Sequence, residues 1–129
     1  AKDKGARRVV RLNVSAPFHS SLMREAGERM KEVLRDIEVK DPDYPIISNV
    51  TASEVRSGKE EVSLLIEQIY KPVRWTQSIK RMIDNGVNTF IEIGPGKVLS
   101  GLIRKIKRDV RVFNVEKVED IDKLANAFA

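Results

Sequence analysis

The chain has 129 residues, of which 33% are charged, and its 24 Lys and Arg against 19 Asp and Glu give a net charge of +5. It contains no cysteine, which excludes thiol catalysis, cysteine-based zinc sites and disulfides and fits a reducing, cytoplasmic location. Its apolar runs fall short of the roughly 20 residues of a membrane span, no signal peptide is visible, and one Trp, two Tyr and four Phe form no stacking array for nucleic acid.

In the first half of the chain, glycine, proline and the spacing of apolar residues predict five elements. Lysines before Gly5 are typical of a helix end, so we expect residues 1–5 to finish a helix that began in a larger protein. The other four are a strand Arg8–Val14, an amphipathic helix from Ser21 to about Asp36, a short buried strand Ile46–Val50 and a helix Glu61–Tyr70 ended by Pro72.

Details of these elements are predicted as well. Ser20 or Ser21 is the expected N-cap of the amphipathic helix, and Met23 and Met30 are expected in its core-facing stripe. The polar segment 51–59 is expected to be a surface loop.

In the second half, helical and strand patterns alternate. The predicted elements are a helix Val73–Asn85 capped by Gly86, a strand Val87–Ile93, a helix from about Lys97 to Lys107, a strand Val110–Val115 and a helix Asp120–Phe128. A strand, a glycine turn, a helix and a second strand in succession are typical of a βαβ unit. The sequence therefore predicts an α/β fold with a largely parallel sheet.

The only histidine, His19, lies on the predicted turn between the first strand and the amphipathic helix. Histidine takes up and returns a proton near neutral pH, so His19 is the first candidate for a general base. A histidine that only caps a turn or fills a pocket is the other interpretation. None of the nine serines lies in a Gly-x-Ser-x-Gly elbow, so the residues alone offer no nucleophile for that base.

Three further patterns have both a functional and a structural interpretation. The turn Gly94-Pro95-Gly96-Lys97 before a helix indicates phosphate binding, but it lacks the Walker and Gly-x-Gly-x-x-Gly spacings, and tight turning explains it as well. Asn49 is either a ligand-binding amide or a turn residue. A basic cluster is either a solvated helix face or a contact surface for an acidic protein or a phosphorylated cofactor. The cluster is Arg104, Lys105, Lys107, Arg108 and Arg111.

Four motifs in this order and spacing resemble the C-terminal part of malonyl-CoA:acyl carrier protein transacylases. They are Ser15-Ala16-Pro17-Phe18-His19-Ser20, Ile47-Ser48-Asn49-Val50, Gln68-Ile69-Tyr70-Lys71-Pro72-Val73-Arg74-Trp75 and Glu92-Ile93-Gly94-Pro95-Gly96-Lys97-Val98-Leu99. The resemblance covers essentially the whole chain. It implies the C-terminal part of a hydrolase-like parallel sheet with packed helices over residues 14–129, preceded in residues 1–13 by the last strand of a small ferredoxin-like subdomain.

The resemblance also implies an activity and a role for four residues. A serine takes malonyl from malonyl-CoA and passes it to the phosphopantetheine thiol of acyl carrier protein, with His19 as the base. The backbone carbonyl of Gln68 would orient the imidazole, Phe18 would narrow the acyl pocket in favour of malonyl, and Asn49 would line the pocket. No metal and no other cofactor is implied.

In the family, the serine elbow, the oxyanion loop and the arginine that pairs with the malonyl carboxylate precede the region that this chain matches. We therefore expect the chain to supply the base to a parent transacylase in fatty acid synthesis and to be inactive alone. The alternative is a non-catalytic module that binds an acidic carrier protein or CoA through the basic cluster.

Overall fold

The computed structural model describes residues 2–9 and 14–128. At the start of the chain, Lys2–Lys4 form a 3₁₀ turn, and Gly5 follows at φ +86°, in the left-handed conformation expected of a helix stop. The predicted strand Arg8–Val14 falls largely on residues 10–13, outside the described residues. The predicted subdomain boundary at residue 13 lies in the same gap and stays a prediction.

The described residues form five α-helices and four strands. They are α1 (Arg24–Leu34), β1 (Ile46–Ile47), β2 (Glu54–Val55), α2 (Gly58–Gln68), α3 (Trp75–Asp84), β3 (Thr89–Ile93), α4 (Val98–Ile106), β4 (Arg111–Val115) and α5 (Glu119–Asn126). Strands β3 and β4 are parallel, with Phe90 opposite Val112, and the helix α4 connects them. The predicted βαβ unit and the α/β class are confirmed. In the part of the chain that is described, β1 and β2 form a separate antiparallel pair.

The hydrophobic core lies where α3 and α4 pack on one face of β3. Ile79 of α3, Phe90 of β3 and Ile103 of α4 are buried together, and Trp75, Met82 and Val112 pack around them. The helix α3 ends at Asp84, and Gly86 follows at φ +91°, as its position after the last apolar residue predicts. Through Trp75, this core fixes the N-terminal end of α3.

Replacement of Ile79 by alanine is expected to destabilise the protein by about 2–5 kcal/mol, because the side chain is 2% exposed and its removal leaves a cavity in the core. Urea unfolding monitored by circular dichroism measures the change in the free energy of unfolding. Val118→Ala, at a largely exposed position, is the control and should change it by less than about 0.5 kcal/mol. Equal effects at both positions would contradict this assignment of the core.

Residues 46–59 differ from the prediction in three ways. The strand β1 is only two residues long, and Val50 is buried in the turn that follows it rather than in a strand. The segment 51–59 was expected to be a surface loop, but it contains β2, whose Val55 is 1% exposed. The helix α2 also begins at Gly58, three residues before the predicted start. A strand of two residues is too short to show the alternation of apolar and polar residues by which strands are predicted.

The N-terminal end of α1 is also different from the prediction. Ser21–Met23 form a 3₁₀ turn before α1, and neither serine caps the helix with its side chain. The hydroxyl of Ser20 instead donates to the carbonyl of Pro17 at 2.7 Å. Met30, expected in the core, is 39% exposed, because only part of the apolar stripe of α1 packs against α2.

The other face of the β3–β4 pair is only partly covered. The side chains of Phe113 in β4 and Phe128 pack with ring centroids 5.5 Å apart, so the C-terminal segment lies over β4. Next to it, Ile91 and Ile93 of β3 point away from the core, and Ile93 is 82% exposed. An apolar sheet face of this kind is typical of an interaction surface. None of the helices described is both long and apolar enough to cross a bilayer.

Candidate active site

The candidate site is built on the C-terminal end of α2. The last carbonyl groups of a helix have no amide donor within the helix. Here the residue four positions after Gln68 is Pro72, which has no N–H to donate, so the carbonyl of Gln68 is left available to another partner. The amide groups of Tyr70 and Lys71 both donate to the carbonyl of Glu67 instead. The chain therefore presents free main-chain acceptors at the end of α2.

His19 uses two of these acceptors. Its backbone N–H donates to the carbonyl of Ile69 at 3.2 Å, and its Nδ1 lies 2.7 Å from the carbonyl oxygen of Gln68. Because a carbonyl oxygen can only accept, Nδ1 carries the hydrogen of this bond. The lone pair of the neutral imidazole is then on Nε2. The contact fixes the tautomer that a general base needs, with the basic nitrogen facing away from α2.

The backbone at His19 is itself unusual. His19 has φ +58°, in the left-handed region that few residues other than glycine adopt. Such a conformation persists where surrounding contacts hold it, and these are the two hydrogen bonds to the end of α2 together with that of the neighbouring Ser20 to Pro17. The turn thereby directs the imidazole of His19 toward the end of α2.

Asn49 lies beside the same helix end. It follows β1 in a turn whose amide groups are held internally: the N–H of Ala52 donates to the carbonyl of Ser48 at 2.9 Å. The carbonyl of Asn49 accepts from the N–H of Arg74 at 2.8 Å, and its Nδ2 donates to the side-chain Oε1 of Gln68 at 3.2 Å. The turn interpretation of Asn49 is therefore correct for its backbone, while its exposed side chain reaches the candidate site.

The structure thus brings together three of the four predicted site residues, His19, Gln68 and Asn49. Phe18 precedes His19 in the chain and is 57% exposed, so its ring is free to line a pocket formed with other residues. Among the described residues, no hydroxyl is hydrogen-bonded to Nε2 of His19. A separate cavity of about 650 Å³ between α1 and α2 includes none of the four residues in its lining.

At the glycine turn after β3, for which phosphate binding is one interpretation, the structure favours the structural interpretation. The carboxylate of Glu92 accepts from the N–H groups of Leu99 at 3.0 Å and Ser100 at 2.8 Å, and also from the hydroxyl of Ser100. These amides are two of the free donors at the start of α4, so the chain's own carboxylate lies where an anion would bind to them. Asn114 donates to the carbonyl of Gly96 at 2.8 Å and holds the turn.

Sequence reasoning missed Glu92 and its partner Ser100. The signal available was an acidic residue at the end of an apolar strand, followed by a glycine turn and a buried serine in the next helix. In the structure, the hydrogen bond from the Ser100 hydroxyl, together with those from the two amides, lowers the pKa of Glu92 below its ordinary value of 4.5.

This lowered pKa predicts a pH-dependent contribution to stability. A carboxylate whose pKa is lower in the folded state stabilises the protein above its ordinary pKa, and the contribution is lost as the pH falls through the folded value. We therefore expect Glu92→Gln to reduce the urea midpoint clearly at pH 6 and much less at pH 3. Urea unfolding of both proteins at the two pH values tests this. If the difference in urea midpoint between the two proteins grew toward pH 3, it would contradict the role of the Glu92 carboxylate as an N-terminal cap of α4.

Part of the basic cluster is used within the fold. Arg104 donates to the carbonyl of Val112 at 3.0 Å, and Arg111 donates to the hydroxyl of Thr89 at 3.1 Å. Lys107 lies 3.7 Å from a carboxylate oxygen of Asp109. These contacts favour the interpretation of the basic cluster as a solvated helix face over its interpretation as a contact surface for a partner. In the part of the chain that the structure describes, no group of three or more His, Asp or Glu is arranged to hold a metal ion.

Comparison with known proteins agrees with the predicted resemblance. The chain is 50% identical over 122 residues to the malonyl CoA-acyl carrier protein transacylase of Bacillus subtilis strain 168, and 44% identical over 120 residues to that of Staphylococcus aureus strain MSSA476. The crystal structure of the acyl-carrier-protein-S-malonyltransferase from Bartonella henselae superposes on 98% of the chain with a TM-score of 0.91 at 42% identity. The resemblance to the malonyl CoA-acyl carrier protein transacylases is confirmed in sequence and in fold.

The transacylases match nearly the whole of this chain, but the chain corresponds to only part of each transacylase. The two sequence relatives match 95% and 93% of this chain, but the chain spans only 38% and 39% of their own lengths, and 40% of the Bartonella henselae structure. A further transacylase, solved in complex with a type II PKS acyl-carrier protein, matches 97% of the chain with a TM-score of 0.87 at 36% identity. No family model matches the chain.

Proposed function

We propose that the chain is the part of a malonyl CoA-acyl carrier protein transacylase that supplies the general base. The observation that carries the proposal is the 2.7 Å contact between Nδ1 of His19 and the carbonyl of Gln68. Without that contact, the resemblance would still indicate the family, but His19 could be any turn histidine. With it, the imidazole has the tautomer and the fixed orientation of a base in nucleophilic catalysis.

In the proposed reaction, Nε2 of His19 takes up a proton and returns it twice, once in each half of the transfer. Nε2 of His19 takes the proton of a serine hydroxyl from the rest of the transacylase as the serine oxygen attacks the thioester carbonyl of malonyl-CoA. The imidazolium returns this proton to the departing CoA thiolate. In the second half, Nε2 takes the proton of the phosphopantetheine thiol, whose sulfur attacks the malonyl-serine ester, and the serine oxygen recovers the proton.

A neutral carbonyl suits the substrate as the orienting partner of His19. A carboxylate in that place would add a negative charge near an acyl group that already carries one, and the two would repel each other. The carbonyl of Gln68 fixes the ring without that charge. We further propose that the exposed ring of Phe18 restricts substituents on the acyl carbon. A role for Asn49 in binding the acyl group stays a prediction.

We also propose that the remainder of the transacylase covers the exposed apolar part of β3. The chain spans about two fifths of the length of its relatives, and Ile91 and Ile93 form an apolar strip that the described residues leave open. Full burial of an exposed isoleucine contributes about 1.5–3 kcal/mol, so the largely exposed Ile93 would contribute more than the half-exposed Ile91. An acidic acyl carrier protein is the proposed acyl acceptor, which the complex of a related transacylase with its carrier protein supports. The cytoplasmic location stays a prediction.

Intact mass spectrometry under denaturing conditions, before and after addition of malonyl-CoA, tests the proposed function. We expect a transacylase polypeptide that includes this sequence to gain one malonyl group, and to lose it when carrier protein with a phosphopantetheine thiol is added. The 129-residue chain alone should gain none. An adduct that never appears, together with carrier-protein binding that depends on Arg104 and Lys105, would instead favour the non-catalytic module.

A further inference from the structure

Gln68 has two oxygen atoms that meet different partners. Its main-chain oxygen is bonded to Nδ1 of His19, and its side-chain Oε1 accepts from Nδ2 of Asn49. The same residue therefore links the turn that carries the imidazole to the turn that follows β1. Since α2 ends at Gln68, the carbonyl of this residue has no amide donor within the helix, and its alignment depends on the contacts of the residue itself.

The Asn49 side of this link is firmly anchored. The neighbouring residues Ser48, Val50 and Ala52 are all buried, and the carbonyl of Asn49 is tied to the N–H of Arg74 just before α3. The turn therefore belongs to the rigid part of the fold. In contrast, residues 69–71 after α2 donate to the carbonyls of Ile66 and Glu67, and no amide of this segment is bonded to the carbonyl of Gln68.

From this juxtaposition we propose that Asn49 is a positioning residue for the base. Its amide holds the side chain of Gln68, and through it keeps the carbonyl of Gln68 aligned with Nδ1 of His19. The inference rests on the proposed function, because it gives Asn49 a role in the chemical step rather than in substrate binding. A misplacement of the base by a fraction of an ångström lowers the rate of proton transfer without weakening the binding of malonyl-CoA.

A double-mutant cycle in the complete transacylase tests the proposal. Asn49→Ala removes the donor, and Gln68→Met removes the side-chain acceptor but keeps the main-chain carbonyl and the side-chain length. Each is expected to lower kcat by about three- to tenfold, the range of a typical neutral hydrogen bond, with KM for malonyl-CoA changed by less than about twofold. The double variant should be no slower than the slower single variant, because both remove the same contact.

Asn85→Ala is the matched control. Asn85 follows α3, and its Nδ2 donates to Oε1 of Glu54 in β2 at 2.8 Å. The substitution therefore removes an exposed amide hydrogen bond to the β1–β2 pair and leaves the end of α2 unchanged. It should leave kcat unchanged. Multiplicative effects of the two single changes, a raised KM with normal kcat, or wild-type kcat in both variants would each overturn the proposal. Normal malonyl loading after loss of His19 would instead overturn the proposed function itself.

Discussion

Replacement of His19 by alanine in the complete transacylase should lower the rate of malonyl transfer by about a thousandfold. General base catalysis by a positioned side chain contributes roughly 10²–10⁴ to a rate. The measurement is the single-turnover rate of malonyl transfer from malonyl-CoA to the enzyme, followed by quenched-flow mass spectrometry near neutral pH.

His19→Asn separates the loss of the base from a disturbance of the backbone. Asparagine tolerates the left-handed conformation that His19 adopts at φ +58°, but it cannot act as a base near neutral pH. The asparagine and alanine variants are therefore expected to be equally slow. A rate within about tenfold of the wild type in either variant would contradict the role of His19 as the base.

Replacement of Gly58 by alanine should destabilise the protein by about 3 kcal/mol, the upper end of the usual cost of overpacking. A Cβ atom at this position would clash with the carbonyl oxygen of Val39 and would lie 2.6 Å from that of Lys40. Both are main-chain atoms, which cannot turn away as the end of a side chain can. The same segment, residues 39–41, also holds the start of α2, because the side chain of Asp41 accepts from the N–H of Gly58 at 2.8 Å. Urea unfolding measures the loss.

Gly101 provides the control for this prediction. It lies inside α4, and a Cβ atom added there meets no atom within 4 Å. Gly101→Ala should therefore raise the free energy of unfolding by about 0.4–1 kcal/mol, since alanine loses less backbone entropy on helix formation. Similar effects of the two substitutions would show that the packing of residues 39–41 on α2 is not as tight as described.

The longer elements could be predicted from the sequence because their signals are local. The helices α3 and α4 and the strands β3 and β4 each carry enough apolar residues at a regular spacing, and Gly86 marks the end of α3. The hairpin β1–β2 could not be predicted in this way, because each strand has two residues and the polar segment 51–59 contains only Ala52 and Val55 as apolar residues. Its burial depends on tertiary packing that spacing does not encode.

The candidate site was only partly predictable for a similar reason. The type and position of His19 indicated a base, but its partner lies 49 residues away, and the residues alone do not select the carbonyl of Gln68 among many. That expectation came from the resemblance to a family. The cap formed by Glu92 was missed because its partners, Leu99 and Ser100, are brought to it only when the glycine turn closes.

The absence of an N–H on Pro72 has a consequence for how this site tolerates mutation. The group that orients the imidazole belongs to the main chain, so no substitution at position 68 deletes it; even Gln68→Gly leaves the oxygen atom in the polypeptide. The availability of this oxygen as an acceptor depends instead on where α2 ends. A change of Pro72 to a residue with an amide hydrogen would introduce a competitor for that oxygen. Selection on the orientation of the base would thus act on position 72, four residues away from the atom that makes the contact.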